Sequence, residues 1–168
     1  MLSELDNYLQ RIEDLRGQVR AVIEGLPAEA LNWRPIEGDE AHVTNSLAVL
    51  AAHAAGAEHF WIGEVVAGHP PTRDRDAEFA VTAGDAGELL RLLDAAGDET
   101  RQVLAALDTA ELDRTREARG RTTPVRWCIL HVIDHSALHL GHMQLTYQLW
   151  KGGESRPSPL WHERLPAR

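Results

Sequence analysis

The stretch from Thr123 to Trp150 limits most strongly what this chain can become. Four histidines, His131, His135, His139 and His142, fall within it among apolar residues at helical spacing, and Gly152 and Gly153 stop it. Thr123 reads as the N-cap of this helix and Pro124 as its first residue. A step of four residues advances about 40° past a full turn, so His131, His135 and His139 share a face. Leu138, Leu145 and Leu149 interleave with them and are expected to point into the core. Imidazoles on such a face need partners, because an unpaired buried polar group costs roughly 1–3 kcal/mol.

Three earlier segments carry the same period. Leu5, Leu9, Ile12, Leu15, Val19, Val22 and Leu26 mark a first helix. A second runs from about Asn45, with Asn45 or Thr44 as cap, to Ala67, and Gly68 ends it. A third runs from Asp85 to Leu107, with Leu89, Leu92, Leu93, Val103, Leu104 and Leu107 inward. No segment alternates with period two, so no sheet is expected, only a short extended piece around Phe79 and Val81. The expectation is an all-α four-helix bundle, with residues 1–168 forming one domain. The long Gly68–Gly84 connection fits a crossover that lets the second and third helices run parallel. The Pro27–Thr44 connection carries Trp33-Arg34-Pro35, and Trp161 in the tail is expected to dock.

Two histidines four apart on a helix can each offer one ring nitrogen to one metal ion, and a third ligand is then expected from a facing helix. His53 fits, in the row Val49, Leu50, His53, Ala57 and Phe60, with Ala54 and Ala57 leaving room beside its ring. Spacing alone does not choose between His131 with His135 and His135 with His139. His42, His59, His69 and His162 read as surface residues, and His142 as at most a pocket residue. Asp134 is either an acceptor for a ligand's second nitrogen or a solvated acid. Cys128 reads as a small core residue. No glycine-rich phosphate loop and no nucleophile elbow is present.

The formal net charge of −9 opposes binding to nucleic-acid phosphates. No basic cluster suits a membrane surface, and no apolar run is long enough to span one. The single cysteine excludes an intramolecular disulfide, and the first residues carry no signal-peptide pattern, so a cytoplasmic location is expected.

Residues 45–79, NSLAVLAAHAAGAEHFWIGEVVAGHPPTRDRDAEF, residues 123–150, TPVRWCILHVIDHSALHLGHMQLTYQLW, and LNWRP at 31–35 resemble the DinB-like superfamily of small helical proteins. The resemblance implies a metal triad made of a histidine in the second helix and His-x3-His in the fourth, which falls on His53, His135 and His139. It is the resemblance that selects His139 over His131. Relatives often have His-Arg-Gly-Gln where this chain has His139-Leu140-Gly141-His142. The resemblance implies a divalent metal, zinc or nickel first, with iron or manganese behind. It also implies a low-molecular-weight thiol such as bacillithiol, mycothiol or glutathione, and thiol S-transfer to a small electrophile. The other function it allows is a non-catalytic metal or small-molecule binding module of a stress response. It further implies a homodimer. The substrate is expected in a pocket between the second and fourth helices and the Trp33 loop, with Trp33 and His131 lining it and Arg34 and Arg126 as candidates for a basic rim.

Overall fold

The computed structural model describes residues 3–38 and 43–154, so Trp161, His42 and His162 lie outside the described residues. The chain is mostly helical. Helix α1 spans Glu4–Ile23, capped by Ser3 in a reciprocal capping box with Asp6, and a short α2 spans Ala28–Asn32. Helix α3 spans Leu47–Glu58 and runs on without a break into a π-helical stretch, His59–Val66, ending before Gly68 at φ +76°. Helix α4 is Arg75–Ala80, α5 is Ala86–Ala106, and a 3-10 turn covers Thr109–Asp113. Strands β1, Thr115–Ala118, and β2, Arg121–Pro124, precede the long α6, Val125–Trp150.

Two apolar clusters fix how the long helices run. One gathers the C-terminal part of α1, the N-terminal parts of α3 and α5, and the C-terminal part of α6, from Leu15, Leu47, Leu89 and Met143 outward. The other gathers the opposite ends, with Ile12, Ile62, Leu104 and Ile129 at its centre. Helices α3 and α5 therefore run the same way, as do α1 and α6, and the connection from Ala67 to Asp85 travels back along the molecule. A buried network ties three of the helices together. The Arg16 guanidinium donates to both Glu58 carboxylate oxygens, at 2.7 and 3.2 Å, and the Thr100 hydroxyl donates to Glu58 at 2.6 Å. Removing one partner of such a pair costs about 3–5 kcal/mol, because the other charge is left buried and unpaired.

Several local expectations are corrected. A two-stranded antiparallel hairpin is present, and its turn puts Arg119 and Gly120 at φ +51° and +74°, as a two-residue hairpin loop requires. Because Thr123 and Pro124 belong to β2, Pro124 takes the cap position and α6 starts at Val125, whose N–H donates to the Arg114 carbonyl. Ser46, not Asn45 or Thr44, caps α3. Phe79 lies in α4 rather than in an extended piece. Leu92 is 46% exposed.

The largest correction concerns α6. Leu138, Leu145 and Leu149 are 58%, 55% and 52% exposed, and the core row is Cys128, Ile129, Val132, Ser136, Leu140, Met143 and Tyr147. The three leucines lie roughly 100° round the helix from His139. The histidines thus form a row of their own between the core and that outer row.

Candidate metal centre

His53 is buried on α3, and its position is set by a row of small neighbours that lets α6 approach. His135 and His139 project from α6, one turn apart. The ring centroids lie 4.8 Å apart for His53 and His135, 5.0 Å for His53 and His139, and 4.4 Å for His135 and His139. One nitrogen from each ring falls within 4.8 Å of the others, and among the described residues this is the one group of three or more potential ligands so arranged. The sequence-based triad is therefore brought together in space.

Its hydrogen bonds leave one buried nitrogen over. The Glu78 carboxylate accepts from His53 Nδ1 at 2.8 Å, which makes Nδ1 the protonated nitrogen and leaves the lone pair on Nε2. That Nε2 lies 3.1 Å from His135 Nε2. Two nitrogens bound to one tetrahedral zinc at about 2.0–2.1 Å would be about 3.3 Å apart, so the spacing fits a shared ion. His139 Nδ1 is buried with no hydrogen-bond partner. With one nitrogen of each ring converging and one buried His139 nitrogen unpartnered, the three side chains fit a divalent cation.

The electrostatics agree. Burial, helped by the positive field of His139, His53, His131 and Arg73, pulls His135 down to about 3. Burial, with His53 and His142 adding, pulls His139 down to about 4. Both rings are neutral near pH 7, as ligation requires. At Glu78 burial acts to raise the carboxyl pKa, but hydrogen bonds and charge from Arg73 and His53 outweigh it, and the net shift is downward.

Glu78 and Arg73 were not singled out in the sequence. Both come from the crossover. Arg73 donates to Glu78 through Nε at 2.6 Å and Nη2 at 2.8 Å, and Phe79 packs its ring 4.8 Å from His53. The signal that could have found them is a carboxylate on a short helix inside the long connection that returns across α3.

The remaining expected site residues scatter. His131 stacks on Trp127 at 4.8 Å, meets the edge of Trp61 at 5.0 Å and lies 5.7 Å from His135. His142 is exposed, 5.5 Å from His139. Asp134 is an exposed acid whose field opposes the burial-driven lowering of His131. Trp33 is in neither the histidine group nor the lining of the two cavities, and Arg34 donates to the Thr44 carbonyl. Arg126 pairs with Glu4 and Asp113 and does not form a rim here. A cavity of about 390 Å³ lies between α3, α6 and the segment after Trp33, but its lining, with Ile36, Leu50, His142 and Leu149, contains neither of the expected residues Trp33 and His131, nor the triad. A second cavity, of about 580 Å³, lies between α3, α4 and α5. Its wall includes Gly56, Arg73 and Glu78, and it too excludes the three histidines. His69 is exposed, as expected, and His59 is half-buried; both bond Glu99, at 2.8 and 2.6 Å.

A helical protein in which two helices bring three histidines together is the class this geometry defines. The chain belongs to the DinB superfamily, whose sequence model matches residues 11–143. Among solved structures it is similar to a DinB-like protein from Bacillus cereus ATCC 10987, with a TM-score of 0.72 at 15% identity, covering 92% of this chain and 97% of that one. It is also similar to a conserved protein from Enterococcus faecalis, with a TM-score of 0.73 at 14% identity, covering 90% of this chain and 99% of that one. At these identities the likeness concerns the fold. No curated protein matches the chain.

Proposed function

We propose that the chain is a divalent-metal protein, with zinc or nickel held by His53, His135 and His139, and that it transfers a low-molecular-weight thiol to small electrophiles. The long helices act as a four-helix bundle whose crossover serves the site. The observation that carries the metal is the convergence of one nitrogen from each of the three rings within 4.8 Å of one another. When bound, the ion supplies Lewis acidity that lowers the pKa of a thiol at its open position. The reaction class is formation of a sulfur–carbon bond with loss of halide or opening of an epoxide.

The chain's own residues do the rest. The three histidines hold and orient, and none is required as a general base. Trp127 and His131 stack face to face beside His135, with Trp61 edge-on to both, an aromatic group that suits an aromatic or apolar electrophile. No described helix is long and apolar enough to cross a membrane. With one buried free cysteine, we place the protein in the reducing cytoplasm.

The test is to incubate metal-loaded protein with bacillithiol, mycothiol or glutathione and a haloaromatic or an epoxide. Conjugate is expected to form, and to disappear in His135→Ala and with chelator. If no thiol binds at millimolar concentration, the transferase reading is lost. One observation favours a second reading. Neither cavity is lined by His53, His135 or His139, which suits a metal or small-molecule binding module without catalysis, and metal retention without conjugation would select it.

A further inference from the structure

We propose that Glu78 is the positioning residue of the metal centre. From the crossover it holds the His53 ring with Nδ1 protonated and Nε2 turned toward the ion, and Arg73 and Gly56 hold Glu78 in place. The inference rests on the metal reading above and adds to it a part of the chain outside the two helices that carry the ligands.

The argument starts from His53. A neutral imidazole on an apolar helix face has two tautomers, and only the one with the lone pair on Nε2 faces His135. A carboxylate can only accept, so the 2.8 Å contact with Nδ1 selects that tautomer. A carboxylate behind a ligating imidazole also raises the basicity of the ring.

Glu78 would have little reason to sit there unaided. Its side chain is 8% exposed, and an isolated buried carboxylate is costly. Arg73, 7% exposed on its side chain, meets it through two parallel N–H···O contacts and lies 3.4 Å from His53 Nδ1 through Nη2. Arg73 is in turn fixed from its own backbone, because the N–H groups of Thr72 and Arg73 both donate to Glu64 Oε1, at 2.6 and 2.7 Å. Asp74 caps α4 by accepting from the Ala77 N–H at 2.9 Å. Glu64, Arg73, Glu78 and His53 thus form one chain of contacts from the π-helical stretch to the ligand.

Gly56 is the slot that lets this chain close. A Cβ at that position would lie 2.6 Å from Glu78 Cδ, inside contact distance. Such an overlap costs little when the displaced atoms are a free side-chain end. Here they are bonded to both Arg73 and His53, so a Cβ would push the carboxylate off the imidazole. Gly56 is one turn beyond His53 on α3, in the middle of the helix, where glycine is unfavourable by roughly 0.8–1 kcal/mol relative to alanine. The close approach of Glu78 gives a reason for it to be there.

The test has a metal-free arm and a metal arm. In metal-free full-length protein, long-range proton–nitrogen NMR of the histidine rings is expected to show His53 protonated at Nδ1. Glu78→Ala is expected to redistribute the proton toward Nε2, and Glu78→Gln, which keeps an acceptor oxygen, to preserve the wild-type form. In the metal arm, zinc affinity by chelator competition is expected to fall about 10–100-fold in Glu78→Ala and less in Glu78→Gln. The cobalt absorption spectrum should change with it. Gly56→Ala is expected to weaken zinc in the same direction, and the double variant Gly56→Ala/Glu78→Ala to be no weaker than Glu78→Ala alone. Circular dichroism establishes that each variant is folded. An unchanged tautomer and unchanged zinc affinity in folded Glu78→Ala overturn the positioning role alone. Losses in the double variant that add overturn the part assigned to Gly56. Failure of the wild type to bind zinc overturns the metal reading itself, and this role with it.

Discussion

Two groups of histidine and glutamate lie along the same helix, and they differ in what stands on the far side of the ring. At His53, Glu78 takes Nδ1 and the other nitrogen faces a second imidazole. At His59, Glu99 takes Nδ1 at 2.6 Å, while Nε2 meets the Thr72 hydroxyl at 2.9 Å and Glu64 at 3.4 Å. Glu99 also bonds His69, at 2.8 Å. Each carboxylate lies over a glycine, Glu78 over Gly56 and Glu99 over Gly63, seven residues or two turns apart. The carboxylates and slots are therefore alike. The outer group is satisfied by its own oxygens, whereas in the inner group His139 Nδ1 is buried without a hydrogen-bond partner. A histidine cluster becomes a metal site when its lone pairs outnumber its donors, and a count of histidines alone cannot reveal that.

The largest effect that separates the two groups is on metal content. His53→Ala, His135→Ala or His139→Ala is expected to abolish stoichiometric zinc, because two imidazoles bind weakly. His59→Ala and His69→Ala are expected to retain one ion per chain. Elemental analysis of the purified variants decides this, and zinc lost from His59→Ala but kept in His135→Ala would reverse the comparison.

Next in size is the response to acid. His135 and His139 sit at about 3 and about 4 in the fold, against about 6.5 for an unfolded histidine. As pH falls below about 6.5 the unfolded chain takes up protons that these rings refuse. Their contribution to the stability of the metal-free protein is complete above that pH, and is lost progressively toward pH 4 and then 3. Thermal melts of chelator-treated protein from pH 7 to 4 should fall steadily, and His135→Leu should flatten the slope. Equal slopes in the two proteins would mean that the ring is less desolvated than its packing implies.

How much of this was legible in the sequence follows from where each residue comes from. His53, His135 and His139 sit on long periodic helices, and periodicity places a side chain on a face before any contact is known. Glu78 and Arg73 come from the crossover, whose path is set by how α3 and α5 pack, and no period in residues 68–84 announces it. Leu138, Leu145 and Leu149 were misplaced for a related reason. An apolar row beside a histidine row is compatible with either order from the core outward, and only the partner helices decide. The hairpin was hidden because its strands, Thr-Arg-Glu-Ala and Arg-Thr-Thr-Pro, carry almost no apolar residue to alternate. The π-helical stretch left no mark either, since one wider turn leaves the apolar content unchanged.

A smaller effect tests the outer group on its own. A Cβ at Gly63 would lie 2.5 Å from Glu99 Cδ, and Glu99 is held by two histidines. Gly63→Ala is expected to destabilise the fold by about 1–3 kcal/mol, as overpacking does, and to leave metal content at one ion per chain. Chemical denaturation and elemental analysis on one preparation read both. A stable variant would mean that Glu99 moves freely, and that the outer group is looser than the inner one.

The smallest expected effect is at His131, and it bears most directly on the register of the site. His131 precedes His135 by four residues, just as His135 precedes His139, so spacing permits either pair. The contacts separate them. His131 lies nearly parallel to Trp127, at 6° between planes, with Trp61 at its edge, and it stands outside the group whose nitrogens converge. Burial lowers its pKa, with Arg119 adding and Asp134 opposing, so it is a neutral ring in an aromatic stack. His131→Phe keeps the stack and removes only the nitrogens. It is expected to hold one zinc per chain, with affinity changed by about twofold, or ~0.5 kcal/mol. His139→Phe is expected to lose the ion. Zinc lost from His131→Phe and kept in His139→Phe would move the ligand pair one turn toward the start of α6, and the inner group would then be His53 with His131 and His135.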